Sequence, residues 1–281
     1  MSVWLITGAS RGFGAAITDA AIAAGHQVVA TARHARAITD RSPDAGDRLV
    51  AVPVDVTNEA QIADAVDTAL TRFGRIDVVV NNAGRGLLGA VEEASDTAAR
   101  AVYDTNVFGA LNVVRAVLPA MRAQRSGHII NISSIGGFVG TPGWGVYAST
   151  KFAVEGFSEA LEKELAPLGV AVTIVEPGYF RTDFLDASSL HTEANIIDDY
   201  ADTAGAMRAT ATDVNHAQPG DPSRAAAAIL EIASSAQPPL RIQLGRDSFS
   251  AVADKLALVA AEQRTWQEVS ISTDYDDVAV R

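Results

Sequence analysis

The stretch "VWLITGASRGFGAA", residues 3–16, indicates how the chain folds. It reads as a short apolar strand, a glycine-rich turn and the start of a helix. Gly8, Gly12 and Gly14 follow G-x3-G-x-G spacing, which differs from the G-x-G-x-x-G of the usual dinucleotide fingerprint. The mechanics are the same, because glycines let the backbone turn tightly and approach a pyrophosphate at a helix N-terminus. An ordinary glycine-rich turn between a strand and a helix is the alternative.

Beyond this turn, short β-branched runs recur along the chain, with the near-continuous apolar character of strands buried on both faces of a parallel sheet. The runs are "VWLIT" from 3, "QVVATA" from 27, "LVAVPVDV" from 49, "IDVVVNNAG" from 76, "GHIINISS" from 127, "VAVTIVEPG" from 170 and "LRIQLG" from 240. Helical patterns separate them, for example over 100–124 and 147–168. Another helix is predicted to begin with Asp221 as N-cap and Pro222 at its first position. The sequence therefore predicts an α/β fold, a doubly wound parallel sheet of Rossmann type with about seven strands and helices on both faces.

No repeat or linker divides the chain, so one domain is predicted over 1–281. The alternation of strand and helix is interrupted between 183 and 219, where the sequence is polar, acidic and irregular. Since this stretch follows the C-terminal end of a strand, where ligands bind in open α/β sheets, we predict that 183–219 is a substrate loop or lid. Residues 246–281 are predicted to form a C-terminal extension, and the role of its acidic tail, 272–281, stays open.

Composition excludes several classes of function. Hydrophobic residues make up 48% and charged residues 20%, which predicts a soluble globular protein. The net charge of −12 argues against nucleic acid as a partner. The absence of cysteine excludes disulfides, zinc–thiolate sites and thiol catalysis.

Location and metal binding are predicted from what the sequence lacks. The leading apolar run stops at Gly8 and has no basic lead-in, unlike a signal peptide, and no apolar stretch approaches the ~18 residues of a membrane span. A cytoplasmic protein without a membrane partner is therefore expected. The histidines are scattered and form no H-E-x-x-H pair, so no metal site is expected.

The residue at the end of the second predicted strand helps to predict whether NAD or NADP binds. An NAD site places an acidic residue there, about 20 residues past the glycines. Arg33 stands at that place, and Arg11 lies inside the glycine turn. Because guanidinium groups match phosphate oxygens and keep their charge, the two arginines predict a 2′-phosphate, and hence NADP(H) in preference to NAD(H). Both could instead be solvated surface arginines.

Tyr147 and Lys151, in "YASTK", are four residues apart and so share one face of a predicted helix. No acidic residue adjoins the lysine. A tyrosine alone, with a pKa of about 10, is a poor acid or base at neutral pH. A neighbouring ammonium group, together with the positive nicotinamide ring of an oxidised cofactor, favours the ionised phenol and moves its pKa toward neutrality. The pair therefore predicts a proton donor, and a half-buried tyrosine beside a solvated lysine is the alternative.

With these residues, the chain resembles the short-chain dehydrogenase/reductase family, in its single-domain Tyr-x3-Lys form, over roughly residues 1–245. The motifs that carry the resemblance are "TGASRGFG" at 7–14, Asp55–Val56, "NNAG" at 81–84, Asn106, Ser134, the Tyr147-x3-Lys151 pair and "PGYFRT" at 177–182. The segments "NNAGRGLLGAVEEAS" and "GDPSRAAAAILEI" look like the branch called 17β-hydroxysteroid dehydrogenase-like, a label that does not imply a steroid substrate. Arg85 departs from the aromatic or small residue that many relatives carry after "NNAG". It could contact a polar substrate or lie at the surface.

The resemblance implies a catalytic group of four residues. Tyr147 would give the proton, and Lys151 would also hydrogen-bond the nicotinamide ribose. Ser134 would hydrogen-bond the substrate oxygen. Asn106 would help to hold a water in a proton path from the lysine; by itself it reads as a helix-surface residue. The residues assigned to the cofactor, from the glycine turn, the arginines and the resemblance, are Gly8, Ser10, Arg11, Gly12, Phe13, Gly14, Arg33, Asp55, Val56, Asn82, Ala83, Gly84, Tyr147, Lys151, Pro177, Gly178, Phe180 and Thr182.

These residues predict an NADP(H)-dependent oxidoreductase that interconverts a ketone or aldehyde and an alcohol, with hydride from nicotinamide and the proton from Tyr147. A catalytically silent NADP-binding sensor or scaffold is one alternative, although it would not need all four catalytic residues. An epimerase or dehydratase on the same fold is another, although such relatives usually have a longer C-terminal substrate domain.

The substrate is expected to be a small molecule, and a partly apolar pocket for a medium-sized ketone is predicted. The residues expected to shape that pocket are Leu87, Phe138, Trp144, Phe184 and Leu185. A homodimer or homotetramer through the helices over 100–124 and 147–168 is also expected.

Overall fold

A seven-stranded parallel sheet lies between two layers of helices. The structure is a computed structural model, and it describes residues 1–275. In spatial order, the strands are β3 (Leu49–Pro53), β2 (Gln27–Ala32), β1 (Val3–Thr7), β4 (Val78–Asn81), β6 (Gly127–Ile132), β7 (Val170–Pro177) and β9 (Arg241–Leu244). Every neighbouring pair in this sheet is parallel. The predicted fold class and the predicted strands are confirmed.

The helices cover both faces of the sheet. They are α1 (Gly12–Ala23), α2 (Arg36–Arg41), α3 (Glu59–Phe73), α4 (Asp96–Tyr103), α5 (Gly109–Gln124), α6 (Gly145–Leu165), α7 (Ala206–Asp213), α8 (Pro222–Ser234), α9 (Arg246–Thr265) and α10 (Gln267–Ile271). Side chains of β1 alternate between the two sides, since Trp4 and Ile6 pack with α1 and α8, whereas Leu5 packs with α3, α5 and α6. This double burial explains the near-continuous apolar runs. Within the described range, 1–275, no helix is long and apolar enough to cross a membrane.

The strand order reverses between β1 and β4. After β1 the chain builds outward through β2 and β3, then returns to β4 and builds in the other direction. The crevice at the carboxyl ends of such a pair is where ligands bind in open α/β sheets. The glycine turn after β1 and the "NNAG" segment after β4 therefore meet there. Asn82 fixes their contact, since its Nδ2 donates to the backbone oxygens of Thr7 (2.9 Å) and Gly8 (3.1 Å).

The helix predicted over 100–124 begins earlier and is interrupted once. Ser95 caps α4 by accepting a hydrogen bond from the Ala98 amide at 3.2 Å. Between α4 and α5 the backbone forms a π-helical turn, Asp104–Phe108. Such turns occur often at functional sites. The helix predicted over 147–168 is confirmed as α6 and a following 3₁₀ turn, Ala166–Leu168.

The segment 183–219, called the lid segment below, is more regular than predicted. It contains α7 and a short strand, β8 (Leu190–Thr192), which pairs in parallel with β5 (Gly86–Leu88) outside the main sheet. A buried ion pair also holds it down, because Arg208 donates to Glu93 at 2.6 Å. The expectation of an irregular stretch is therefore wrong, since three-residue strands are too short to show a period in sequence.

The predicted extension, 246–281, forms α9 and α10, and its last residues, 276–281, lie outside the described residues. The start of α9 is attached to the sheet. Ser248 Oγ donates to the Glu176 backbone oxygen at 2.8 Å, and Val252 is buried. The described part of the acidic tail, 272–275, is exposed.

Candidate active site

The glycine turn leaves the N-terminus of α1 open to a ligand. Gly8 and Gly12 have φ of 66° and 56°, a region that glycine enters without steric cost. At Gly14 a Cβ atom would lie 2.3 Å from the Gly8 backbone oxygen, so any larger residue would push the helix off the strand end. Arg11, at the N-cap, makes no side-chain cap to the first turn. The first amides of α1 are thus available to an anion, which fits a pyrophosphate.

One continuous cavity of about 1010 Å³ runs from this turn across the carboxyl edge of the sheet. Seventeen of the eighteen residues assigned to the cofactor line it, and Gly14 is the one that does not. Ser134 lines it as well. Asn106 lies behind its wall and is buried. The volume is in the range of ligand sites.

The two arginines expected at the 2′-phosphate have different surroundings. Arg33 is exposed at the end of β2 and lines the cavity; within residues 1–275 its side chain forms no hydrogen bond or ion pair. Arg11, in contrast, binds the lid segment. It donates to Ser188 Oγ at 2.6 Å, to the Ser188 backbone oxygen at 3.0 Å and to Ser189 Oγ at 2.8 Å. Asp55 is partly engaged as well, because Oδ1 accepts from the Thr57 amide at 2.9 Å.

Helix α6 places Tyr147 and Lys151 on its inward face, and both are buried, each with 7% of its surface exposed. Lys151 Nζ donates to the Ile132 backbone oxygen at 2.9 Å and lies 5.8 Å from the centroid of the Tyr147 ring. Ser134, just after β6, lies near the tyrosine, and its hydroxyl lowers the pKa of Tyr147. The same serine oxygen accepts from the Gly136 amide at 3.0 Å, which fixes its position.

Burial controls the ionisation of this pair. It raises the pKa of Tyr147 above its ordinary value, and the Ser134 hydroxyl acts in the opposite direction. It lowers the pKa of Lys151 to about 8, and the charge of Glu155 acts against this lowering. Desolvation of the buried phenol is the largest effect on its pKa, and the expected fall of that pKa beside a bound nicotinamide stays a prediction. The reading of a lysine without an acidic neighbour was also incomplete, since Glu155 lies one helical turn further on and is buried.

The π-helical turn carries Asn106 into the interior rather than to the helix surface. Its Oδ1 accepts from the Arg85 amide at 2.9 Å, and its Nδ2 donates to the Arg85 backbone oxygen at 3.0 Å. A third bond joins Nδ2 to Thr150 Oγ1 at 3.0 Å. The asparagine thus ties the segment after β4 to α6 beside Lys151.

Thr150 was not singled out in the sequence, and only its position between Tyr147 and Lys151 could have drawn attention to it.

The far end of the cavity is aromatic. Trp144 packs edge-on against Tyr147 with centroids 5.4 Å apart, and Phe184 of the lid segment lies 5.6 Å from Tyr147. Trp144, Phe184 and Leu185 line the cavity as expected, whereas Leu87 and Phe138 do not. Leu87 belongs to β5 and is buried beneath the cavity wall. The lining residues missed in the sequence include Val139, Tyr179 and Met207, and Arg85 lines the cavity too.

Comparison with known proteins agrees with this geometry. Residues 2–193 match the family model described as short chain dehydrogenase. Oxidoreductase BOA17 of Botryotinia fuckeliana is 38% identical over 272 residues, which cover 96% of this chain and 98% of that protein. The 3-ketodihydrosphingosine reductase of Bacteroides thetaiotaomicron is 40% identical over 242 residues, which cover 86% of this chain and 87% of that protein.

Solved structures give the same result. A short-chain dehydrogenase from Streptomyces avermitilis superposes with a TM-score of 0.90 at 42% identity, covering 98% of this chain and 100% of its own. A short chain dehydrogenase/reductase from Burkholderia phymatum in complex with NAD has a TM-score of 0.79 at 25% identity, covering 99% and 98%. The closed form of serine dehydrogenase complexed with NADP+ has a TM-score of 0.74 at 27% identity, covering 99% of each chain. Similar structures thus hold either nicotinamide dinucleotide.

Proposed function

Because this chain belongs to the short-chain dehydrogenase/reductase family and is thus an oxidoreductase, we propose that it reduces a ketone or aldehyde to an alcohol, reversibly, with NADP(H). One observation carries the proposal. Tyr147, with Ser134 nearby and Lys151 one helical turn away, lines the same cavity as Arg33. A proton donor and a nucleotide cleft are what carbonyl reduction requires of the protein.

Several residues of the cavity would hold the cofactor. The N-terminus of α1 suits the pyrophosphate, and Arg33 suits a 2′-phosphate. By position, Asp55 and Val56 would lie at the adenine. The other assigned residues would line the cofactor toward its nicotinamide end, namely Asn82, Ala83, Gly84, Pro177, Gly178, Phe180 and Thr182. Similar structures that contain NAD or NADP support a nicotinamide cofactor, and Arg33 supports NADP(H).

The chain's own residues would handle the oxygen and the proton. When bound, the cofactor would supply a hydride to the carbonyl carbon. The Ser134 hydroxyl would donate a hydrogen bond to the carbonyl oxygen and hold it beside Tyr147. The phenol O–H bond breaks as the oxygen takes the proton, which leaves the alcohol and a phenolate. The Lys151 ammonium group would stabilise that phenolate, and Asn106 would help to return a proton from solvent.

The pocket supports a partly apolar substrate, and Arg85 in its lining could contact a polar group of that substrate. Trp144, Phe184 and Met207 surround the space next to Tyr147. The Bacteroides relative is named as a reductase of 3-ketodihydrosphingosine, which supports a ketone as the reacting group. Membership of the 17β-hydroxysteroid dehydrogenase-like branch stays a prediction.

The test is an NADPH-oxidation screen over ketones, aldehydes and diketones with the wild-type protein and Tyr147→Phe. We expect turnover by the wild type and a fall in kcat of roughly 10²–10⁴ in the variant, because the proton donor is lost. NADPH binding, measured by fluorescence, should be retained. Binding without turnover across the panel would favour a sensor, and unchanged turnover by Tyr147→Phe would remove the tyrosine from the mechanism.

A further inference from the structure

Helix α9 runs beyond the body of the protein. Its first two turns are attached through Ser248 and Val252, but almost every residue from Leu256 onward is exposed. Several of these residues are large and apolar. Leu256 is 54% exposed, Val259 46% and Trp266 62%. Such a run of exposed apolar side chains on one helix is unusual for a surface that faces only water.

Five of the large apolar residues from Phe249 onward follow a heptad pattern, whereas Leu258, Val269 and Ile271 lie outside it. Phe249 and Leu256 are seven residues apart, as are Val252, Val259 and Trp266, and the two series interleave with a and d spacing. We call Phe249, Leu256, Val259 and Trp266 the α9 seam. Val252, which belongs to the same series, is buried against the sheet. The apolar stripe that contains the seam packs on the body at Val252. Further along the helix, within residues 1–275, the body no longer covers this stripe.

A helix with an uncovered apolar face needs another surface to pack against. Isolated helices shorter than about 12–15 residues are marginal in water, and most helix stability in proteins comes from packing of an apolar face. The uncovered part of α9, from Leu256 to Thr265, is below that length and extends for about 15 Å at 1.5 Å per residue; the short helix α10 follows after Trp266.

We propose that the α9 seam is an interface with a second copy of this chain, with the two α9 helices antiparallel. In that arrangement Leu256 packs against the partner subunit's Val259, and Phe249 packs against the partner subunit's Trp266. In an antiparallel pair of helices, residues that face each other have a constant sum of residue numbers. Both pairs have the same sum, so a single register brings both into contact. The a and d residues of each helix then fill the gaps of the other.

The charges beside the seam favour the same pairing. Lys255 and Glu262 occupy equivalent heptad positions flanking the seam. Antiparallel helices bring such positions opposite each other, so each Lys255 faces the partner subunit's Glu262, twice per dimer. A parallel pairing would place Lys255 beside Ala260 and lose both contacts. A membrane surface is disfavoured, because α9 carries Asp254 and Glu262, α10 carries Glu268, and the chain has a net charge of −12.

This surface is separate from the one predicted on the helices over 100–124 and 147–168, which stays a prediction. That other surface exposes Phe108 (53%) and Phe152 (47%). A tetramer with two-fold symmetry uses more than one interface, so the two surfaces are compatible.

The experiment compares two glutamate substitutions by size-exclusion chromatography with light scattering on the full chain. Leu256→Glu places a charge in the seam. Leu258→Glu is the matched control, since Leu258 is 52% exposed on the same helix but points about 200° away from Leu256. We expect the wild type and Leu258→Glu to have at least twice the 29.3 kDa mass of the chain, and Leu256→Glu to have half the wild-type mass. A monomeric wild type, or equal masses for all three, would overturn the proposal.

Charge reversal tests the orientation and guards against misfolding of Leu256→Glu. Lys255→Glu should raise the dissociation constant of the dimer about tenfold, and Lys255→Glu combined with Glu262→Lys should restore it. Circular dichroism and thermal unfolding of each variant check that the body is folded, without reference to cofactor or activity. If the double variant associates no better than Lys255→Glu, the antiparallel pairing is wrong.

Discussion

Burial acts on Tyr147 and Lys151 in opposite directions, raising the pKa of the phenol and lowering that of the ammonium group to about 8. Both shifts favour the neutral forms, whereas proton transfer from Tyr147 needs a nearby cation to stabilise the phenolate. The charge of Glu155 partly restores that cation, because it raises the pKa of Lys151. The pairing of a tyrosine with a lysine on one helix face was predictable from their spacing. The shifts were not, because burial is a property of the folded neighbourhood.

Glu155→Gln should therefore move the pH profile of the reaction. Lys151 loses its proton as the pH rises through about 8, so kcat/KM should fall above that pH. Without the carboxylate the lysine pKa drops further, and the basic limb should shift to lower pH. Glu159→Gln is the control, since Glu159 also binds Arg241 but lies at the surface. A basic limb that stays in place in Glu155→Gln would show that Glu155 does not act on Lys151.

Arg33 is the residue on which the proposed preference for NADP(H) depends. Arg33→Asp should lower kcat/KM with NADPH about 10²-fold and leave the value with NADH within a few-fold, because a charge-assisted contact to the 2′-phosphate is replaced by repulsion. Arg36→Asp makes the same charge change three residues away, where the side chain is 91% exposed. It should affect the two coenzymes alike. Equal losses with both coenzymes in Arg33→Asp would exclude the proposed phosphate contact.

At the scale of whole elements, length decided what could be predicted. The seven strands of the sheet could be predicted because each is a continuous apolar run. Asp221 could be predicted as a helix N-cap, and the structure confirms this, since its carboxylate accepts a hydrogen bond from the Ser223 amide at 2.8 Å. The three-residue strands β5 and β8 were missed, as was the π-helical turn that buries Asn106. A period needs more residues than these elements contain, and their stability comes from tertiary contacts.

Arg11 holds the lid segment to the glycine turn. Its partners Ser188 and Ser189 lie 177 and 178 positions further along the chain, so no local sequence pattern reveals the contact. Replacing Ser188 and Ser189 together by Ala removes two of its acceptors. We expect the KM for the carbonyl substrate to rise on the order of tenfold, since hydrogen bonds to charged groups contribute more than neutral ones. Hydrogen exchange over 186–192 should become faster. The NADPH to NADH ratio should change little, because Arg33 remains.

Thr203→Ala is a suitable control for the lid, because it removes an exposed hydroxyl from the same segment without touching Arg11. Its KM and exchange rates should match those of the wild type. If the double serine variant also matches the wild type, the contacts of Arg11 do not keep the lid closed.

In the molecule as a whole, the candidate active site and His128, a buried group that affects folding stability, lie at opposite edges of the sheet. The cavity lies at the carboxyl ends of the strands, whereas His128 is buried near the opposite edge, where β6 begins. Its Nε2 lies 2.9 Å from Thr173 Oγ1, and burial lowers its pKa from 6.5 to about 4. A change in its charge can therefore alter folding without involving Tyr147 or Lys151.

His128 should make the protein less stable in mild acid. Its folded pKa of about 4 lies below the unfolded value of 6.5, so between these values the unfolded chain binds more protons. Stability should fall as the pH drops through 6.5 and level off below 4, by up to about 3 kcal/mol from this group, since each pKa unit corresponds to about 1.4 kcal/mol. Urea unfolding at pH 7.5 and 5 should show a smaller difference for His128→Gln than for the wild type. His34→Gln, at an exposed position, should keep the wild-type difference, and an unchanged difference in His128→Gln would assign the acid sensitivity to other groups.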